Sequence, residues 1–153
     1  MMQSVTVKKN LILLVEDNPT DELLTIEALK EHHMPVEVIV ARNGAEALDY
    51  IFGTGKYADR NCIELPSFIL LDLKLPKISG LSVLKKIRSD DRTRIVPVVI
   101  LTSSKEEQDM VESYSLGANS YIQKPVNYQE FSVIAEQLGI YWFTLNQLPR
   151  YDS

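Results

Sequence analysis

An uninterrupted apolar run, Phe68-Ile69-Leu70-Leu71, stops at a single carboxylate, Asp72. Consecutive apolar side chains point to both faces of a strand, so its sheet needs cover on both sides, the condition met by parallel sheets flanked by helices. In such sheets ligands collect outside the carboxyl ends of the strands, where the strand order reverses. An acid in that place is also a common loop or helix-capping residue. Asp72 therefore takes its meaning from what the other strand ends bring to it.

The rest of the chain repeats the pattern. Residues 11–15 (L-I-L-L-V) read as a short apolar strand ending in Glu16-Asp17, after a polar leader, residues 1–10, without strong periodicity. Leu23, Leu24, Ile26, Ala28 and Leu29 then form a helical apolar face. Asp21 and Glu22 suit the positive amino end of that helix, and Met34-Pro35 marks its finish. Residues 36–40 are rich in β-branched side chains and predict a second strand, followed by Asn43 as a cap with Glu46 three residues on and a helix to about Phe52. Residues 53–66, with two glycines and a closing proline, predict a long loop suited to be an interaction insert. Gly80 precedes a short amphipathic helix carrying Leu81, Val83, Leu84 and Ile87, and residues 97–101 predict the fourth strand. Ser104 with Glu107 reads as the capping box of the next helix, and Gly117 as its left-handed stop. Residues 121–123 predict the fifth strand. Lys124-Pro125 follows, and Asn127 with Glu130 opens a last helix bearing Phe131, Ile134, Leu138, Tyr141 and Trp142.

Five alternations of strand and helix predict an α/β, doubly wound, five-stranded parallel sheet with five helices, in the flavodoxin-like order 2-1-3-4-5. With 153 residues, 45% hydrophobic and 24% charged, the chain is expected to be one domain with a substantial core. A net charge of −5 with no stripe of lysines and arginines argues against a nucleic-acid surface. The lone Cys62 cannot make an internal disulfide, and His32 and His33, adjacent on a helix end, point apart and make a poor metal pair. No apolar run has signal or membrane length. A cytoplasmic protein with protein partners is the expectation. Too few residues follow the fifth helix for a DNA-binding or enzyme module, so output is expected to pass through binding.

In the order 2-1-3-4-5, strands 1 and 3 are neighbours, which sets Asp17 beside Asp72 with Glu16 close by. Two like charges about 4 Å apart repel by roughly 4 kcal/mol at an effective dielectric of about 20. Lys124, arriving from strand 5, balances only one of the three. A hard divalent ion such as Mg²⁺ balances the rest, and it is the usual ion where phosphate is handled. Each residue has a plain alternative: helix-start acids for Glu16 and Asp17, a cap hydroxyl for Thr102, a strand aromatic for Tyr121, and a turn for Lys124-Pro125, where a cis bond before Pro125 is open. Their common place at one edge of one sheet favours the functional reading.

Glu16-Asp17, Asp72, Thr102 and Lys124-Pro125, in this order on these strand ends, resemble the receiver domain of two-component response regulators over about residues 10–139. The resemblance implies that Asp72 accepts a phosphoryl group from a phosphohistidine on a sensor histidine kinase, forming an acyl phosphate. It also implies that Glu16, Asp17, Asp72 and the Lys74 backbone carbonyl serve Mg²⁺, that Thr102 and Lys124 meet the phosphoryl oxygens, and that Tyr121 turns inward as a switch. Such a protein is no enzyme beyond promoting its own phosphorylation and dephosphorylation. Glu16 departs from the Asp-Asp pair of many receivers, which makes Asp17 the safer metal ligand. The 53–66 segment and the ending Y-W-F-T-L-N-Q-L-P resemble the single-domain regulators that partner bacterial phytochrome-type histidine kinases. That narrower likeness implies such a kinase, or a phosphotransfer protein, as partner. The aromatic extension, residues 140–153, with the fourth helix, fifth strand and fifth helix, is expected to form a homodimer or kinase-docking surface, since exposed apolar patches commonly mark interfaces, with a tail folded back on its own domain as the alternative. A phosphatase of the haloacid-dehalogenase type needs a second acid where Lys74 stands, and a flavodoxin-like cofactor binder needs a hydroxyl- and glycine-rich loop where Glu16-Asp17 would repel phosphate. A degenerate receiver that only binds proteins is the surviving alternative.

Overall fold

The computed structural model describes residues 4–31, 36–59, 62–125 and 127–149. Five parallel strands, β1 (Ser4–Val15), β2 (Glu37–Ala41), β3 (Cys62–Leu71), β4 (Val98–Thr102) and β5 (Ser120–Gln123), form one sheet in the order β2-β1-β3-β4-β5. Five helices alternate with them: α1 (Pro19–Glu31), α2 (Gly44–Phe52), α3 (Gly80–Ser89), α4 (Glu107–Ser115) and α5 (Tyr128–Gly139). The order is the one the sequence predicts.

Side chains alternate across a strand, so each apolar run feeds two cores. Leu13, Val15, Ile69, Leu71 and Ile100 pack with Ile51 of α2 and Leu84 of α3, while Ile12, Leu14, Phe68, Leu70 and Val99 pack with Leu29 of α1 and Phe131 of α5. The predicted caps form where local chemistry dictates them. The side-chain oxygens of Asn43 and Asn127 accept from the backbone N–H groups of Glu46 and Glu130, both at 2.9 Å. Gly117, at φ 103°, ends α4 in a conformation that side chains rarely adopt.

Three sequence-based expectations differ from the structure. The leader is not separate from the sheet, because β1 begins at Ser4 and its first residues pair with β3, from Ser4 opposite Cys62 to Lys8 opposite Pro66. For the same reason residues 53–66 are only partly loop: a single 3-10 turn, Gly55–Tyr57, precedes the start of β3 at Cys62. Neither segment reads as a strand alone, because each depends on a partner far along the chain. The pairing slips between Lys8 and Ile12. There Asn10 takes φ 65°, its N–H donates to the buried Ser67 hydroxyl at 3.0 Å, and that hydroxyl donates to the Lys8 carbonyl at 3.3 Å. Finally, Ser104 does not cap α4. It lies buried in the loop after β4, where its Oγ accepts from the Glu106 N–H at 3.3 Å and donates to Asp109 at 2.6 Å, and the helix starts at Glu107. The predicted finish of α1 at Met34-Pro35, the His32-His33 pair and the Cys62 side chain lie outside the described residues.

After α5 a π-helical turn, Ile140–Leu145, carries the aromatic ending. Trp142 and Phe143 fold back on the fully buried Phe68, with ring centroids 5.7 and 5.6 Å away, while Tyr141 and Leu145 stay exposed. The fold-back reading of the tail thus describes Trp142 and Phe143. No described helix is long and apolar enough to cross a membrane.

Candidate functional site

Parallel pairing carries four strand ends to one edge of the sheet. The Glu16 N–H donates to Ala41 O at 2.9 Å and the Asp72 N–H to Val15 O at 3.1 Å, so each acid sits one residue beyond its strand and stays tied to the neighbouring one. Glu16 and Asp72 are buried and Asp17 is exposed, and carboxylate oxygens of all three lie within 4.8 Å of one another. Thr102, the last residue of β4, is buried, and its carbonyl accepts from the Lys124 N–H at 2.7 Å, which brings Lys124 back over the site.

The Lys124 ammonium then meets Glu16 Oε1 at 2.7 Å, Asp72 Oδ2 at 2.8 Å and Asp21 Oδ2 at 2.8 Å. The other Asp72 oxygen, Oδ1, accepts from the Lys74 N–H at 3.2 Å. At the amino end of α3 the Gly80 N–H donates to Leu73 O at 3.0 Å, which pulls that helix against the end of β3. No peptide bond among the described residues is cis, so the bond before Pro125 is trans. This corrects the cis alternative: trans is favoured by about 0.5–1 kcal/mol at proline, and the trans chain already delivers Lys124 to its three partners.

Burial pushes the Glu16 carboxyl up to about 7, opposed by the hydrogen bond and charge of Lys124, aided by the charge of Asp72 and eased by the Asn18 N–H. Burial alone would lower the Lys124 ammonium, yet its hydrogen bonds to Asp21, Asp72 and Glu16 raise it on balance. One cation thus faces a surplus of acids. All-oxygen donors, close together and short of positive charge, fit a hard divalent ion, and Glu16, Asp17 and Asp72 are the side chains that would hold it.

Beside the acids runs a chain of hydrogen bonds. Thr102 Oγ1 accepts from the Ser104 N–H at 3.3 Å, and the half-buried Tyr121 hydroxyl donates to the Ser104 carbonyl at 3.2 Å. The site residues expected from sequence are therefore together. Sequence reasoning missed the contact made by Asp21, which it took as a helix-start acid. Its place in the first turn of α1, the helix that follows Glu16-Asp17, is the signal that could have found it.

A doubly wound sheet whose strand-end acids meet a lysine from the last strand defines a receiver. The family model described as response regulator receiver domain matches residues 12–136, and the chain belongs to this family. Among its relatives, the response regulator Rcp1 of Synechocystis sp. is 36% identical over 138 residues, covering 90% of this chain and 92% of its own length. The Mn²⁺-bound crystal structure of Rcp1 superposes with a TM-score of 0.83 over 92% of this chain and 99% of that one. The phosphorylated cyanobacterial phytochrome response regulator RcpA is 39% identical, with a TM-score of 0.84 and coverage of 93% and 99%. The bacteriophytochrome response regulator AtBRR is 49% identical, with a TM-score of 0.72 and coverage of 92% and 99%.

Proposed function

We propose that this chain is a single-domain response regulator that accepts a phosphoryl group on Asp72 from a sensor histidine kinase and signals by phosphorylation-dependent protein binding. The observation that carries the reading is the buried Asp72 carboxylate bridged by the Lys124 ammonium at 2.8 Å, beside the Glu16 and Asp17 carboxylates. An Asp72 oxygen bonds to phosphorus as the P–N bond to the kinase imidazole breaks, and the leaving imidazole takes a proton from water. Little covalent work falls to the protein, so positioning and charge supply most of the catalysis. Lys124 and the Thr102 hydroxyl are the groups that would meet phosphoryl oxygens. A Mg²⁺ held by Glu16, Asp17, Asp72 and the Lys74 carbonyl would neutralise charge on the transferred group. The chain promotes only its own phosphorylation and dephosphorylation.

Thr102, Ser104 and Tyr121 already share hydrogen bonds, so drawing the Thr102 hydroxyl toward a phosphoryl oxygen disturbs the tyrosine's anchor. The tyrosine's inward state then gains population. That change reshapes the face of α4, β5 and α5. RcpA and AtBRR are phytochrome response regulators by description, which supports a phytochrome-type kinase as the donor; a cytoplasmic location and a phosphotransfer protein as a further partner belong to the same proposal. The test is incubation with Mg²⁺ and either acetyl phosphate or a phosphorylated kinase, reading intact mass. One added phosphoryl group, removed by hydroxylamine, is expected. An unchanged mass with both donors overturns the function.

A proton on Glu16 must leave before a cation can take its carboxylate. With that group at about 7, affinity for Mg²⁺ is expected to rise about tenfold from pH 6 to pH 8, as for release of one proton. Calorimetric titration reads it. Glu16→Gln should flatten the profile, and a flat wild-type profile counts against Glu16 as a ligand.

The same reading includes a homodimer. Val111 and Tyr114 on α4, Val133 on α5, and Ile140, Tyr141 and Leu145 beyond it are exposed, and apolar patches of this kind commonly mark interfaces. Sedimentation is expected to show a dimer that Tyr141→Glu weakens. Monomer alone at high concentration, with and without phosphorylation, refutes it.

A further inference from the structure

A lysine ammonium carries three protons, and Lys124 gives one to each of three carboxylates: Glu16 at 2.7 Å, Asp72 at 2.8 Å and Asp21 at 2.8 Å. Under the proposed function two of those partners have other duties. Glu16 would turn to the divalent cation, and Asp72 would give up its charge to the acyl phosphate. Asp21 is the partner left over. It lies outside the group of three acids whose oxygens approach one another within 4.8 Å.

Asp21 also stands on a fixed platform. Its N–H donates to the Asn18 side-chain oxygen at 3.0 Å, and its carbonyl accepts from the Thr25 hydroxyl at 2.7 Å, so the first turn of α1 is tied at both ends of this residue. The ion pair spans 103 residues of sequence and joins α1 to the exit of β5. A pair between long side chains in solvent contributes little. Here the lysine side chain is only 9% exposed and the aspartate 27%, and a buried ammonium deprived of partners is costly.

We infer that Asp21 is a positioning residue for Lys124. It holds the ammonium at the sheet edge when Glu16 and Asp72 change partners, which leaves two N–H groups aimed at the phosphoryl oxygens. Without it the four-carbon stem regains rotamer freedom at the moment the phosphoryl group must be met. Asp21 itself touches neither the cation nor the reacting atoms, so its effect passes through Lys124. The role needs a hydrogen-bond acceptor at this place more than it needs a charge, and that separates it from a general electrostatic effect of the acid.

This inference rests on the proposed function. Its test compares wild type, Asp21→Ala and Asp21→Asn at saturating Mg²⁺. The readouts are the rate of phosphoryl uptake from acetyl phosphate across donor concentrations, and the affinity for beryllium trifluoride, a phosphoryl stand-in. A catalytic group misplaced by about 1 Å can cost about a hundredfold in rate. Lys124 keeps its backbone anchor on the Thr102 carbonyl, so Asp21→Ala is expected to lower the limiting uptake rate and the trifluoride affinity about tenfold, with the half-saturating donor concentration unchanged. Asp21→Asn, which keeps an acceptor oxygen, is expected to recover most of both. Thermal melts of the two variants check that each is folded, and Asn serves as the readable variant if Ala is not. Wild-type behaviour of Asp21→Ala, or a folded Asp21→Asn with a tenfold loss, overturns the inference while wild-type labelling leaves the function standing. A wild type that takes up no phosphoryl group overturns the function and the inference together.

Discussion

Asp72→Asn is expected to end phosphoryl uptake, with the intact mass unchanged after incubation with Mg²⁺ and acetyl phosphate while wild type gains one group. The substitution keeps size and shape and removes the nucleophile, because an amide oxygen does not attack phosphorus as a carboxylate does. The fold should tolerate it. Lys124 retains Glu16 and Asp21 as partners, and the Asp72 N–H bond to Val15 O belongs to the backbone. Loss of labelling in a folded variant therefore assigns the chemistry to this one side chain. Wild-type labelling of the variant would sink the assignment. A group carried instead by the Thr102 hydroxyl would be a phosphoester, which hydroxylamine leaves in place, so the hydroxylamine step separates it from the acyl phosphate on Asp72.

Gly80→Ala is the second large effect, and it reaches the site through packing. A Cβ at Gly80 would fall onto the Asp72 carbonyl oxygen and 2.7 Å from Leu73 Cα. Both are backbone atoms at the end of β3, so neither can swing aside. Overpacking of this kind costs about 3 kcal/mol, which in a domain of this size lowers Tm by about 6–12 °C. The strain is relieved only by moving the start of α3 away from the nucleophile's strand, so Mg²⁺ affinity is expected to fall as well. An unchanged Tm would show that α3 is not seated as described.

Much of this was legible because the relevant signals are local. Apolar runs of four or five residues mark strands covered on both faces, and Asn43 and Asn127 each cap a helix three residues before a glutamate. Once the runs are ordered as a doubly wound sheet, topology alone carries Glu16, Asp17, Asp72, Thr102 and Lys124 to one edge. Ser104 has the spacing to Glu107 of a capping box, but its buried hydroxyl is taken up by Asp109 and the Glu106 N–H, and the helix starts only at Glu107. The β1 and β3 extensions were missed because a parallel pairing of Ser4 to Lys8 with Cys62 to Pro66 leaves no mark in either segment by itself.

What the sequence determined, then, is the succession of elements and the side of the sheet on which its chemistry gathers, since backbone direction and the period of two follow from residues near one another. Tertiary structure alone decided the lateral contacts: the Lys124 N–H bond to the Thr102 carbonyl that brings Lys124 over the site, the link from Tyr121 through Ser104 to Thr102, and Asp21 as the third partner of the ammonium. Those depend on how α1 and the loops pack against the strand ends. An ion pair spanning 103 residues is set by the geometry of that packing, which no local pattern encodes.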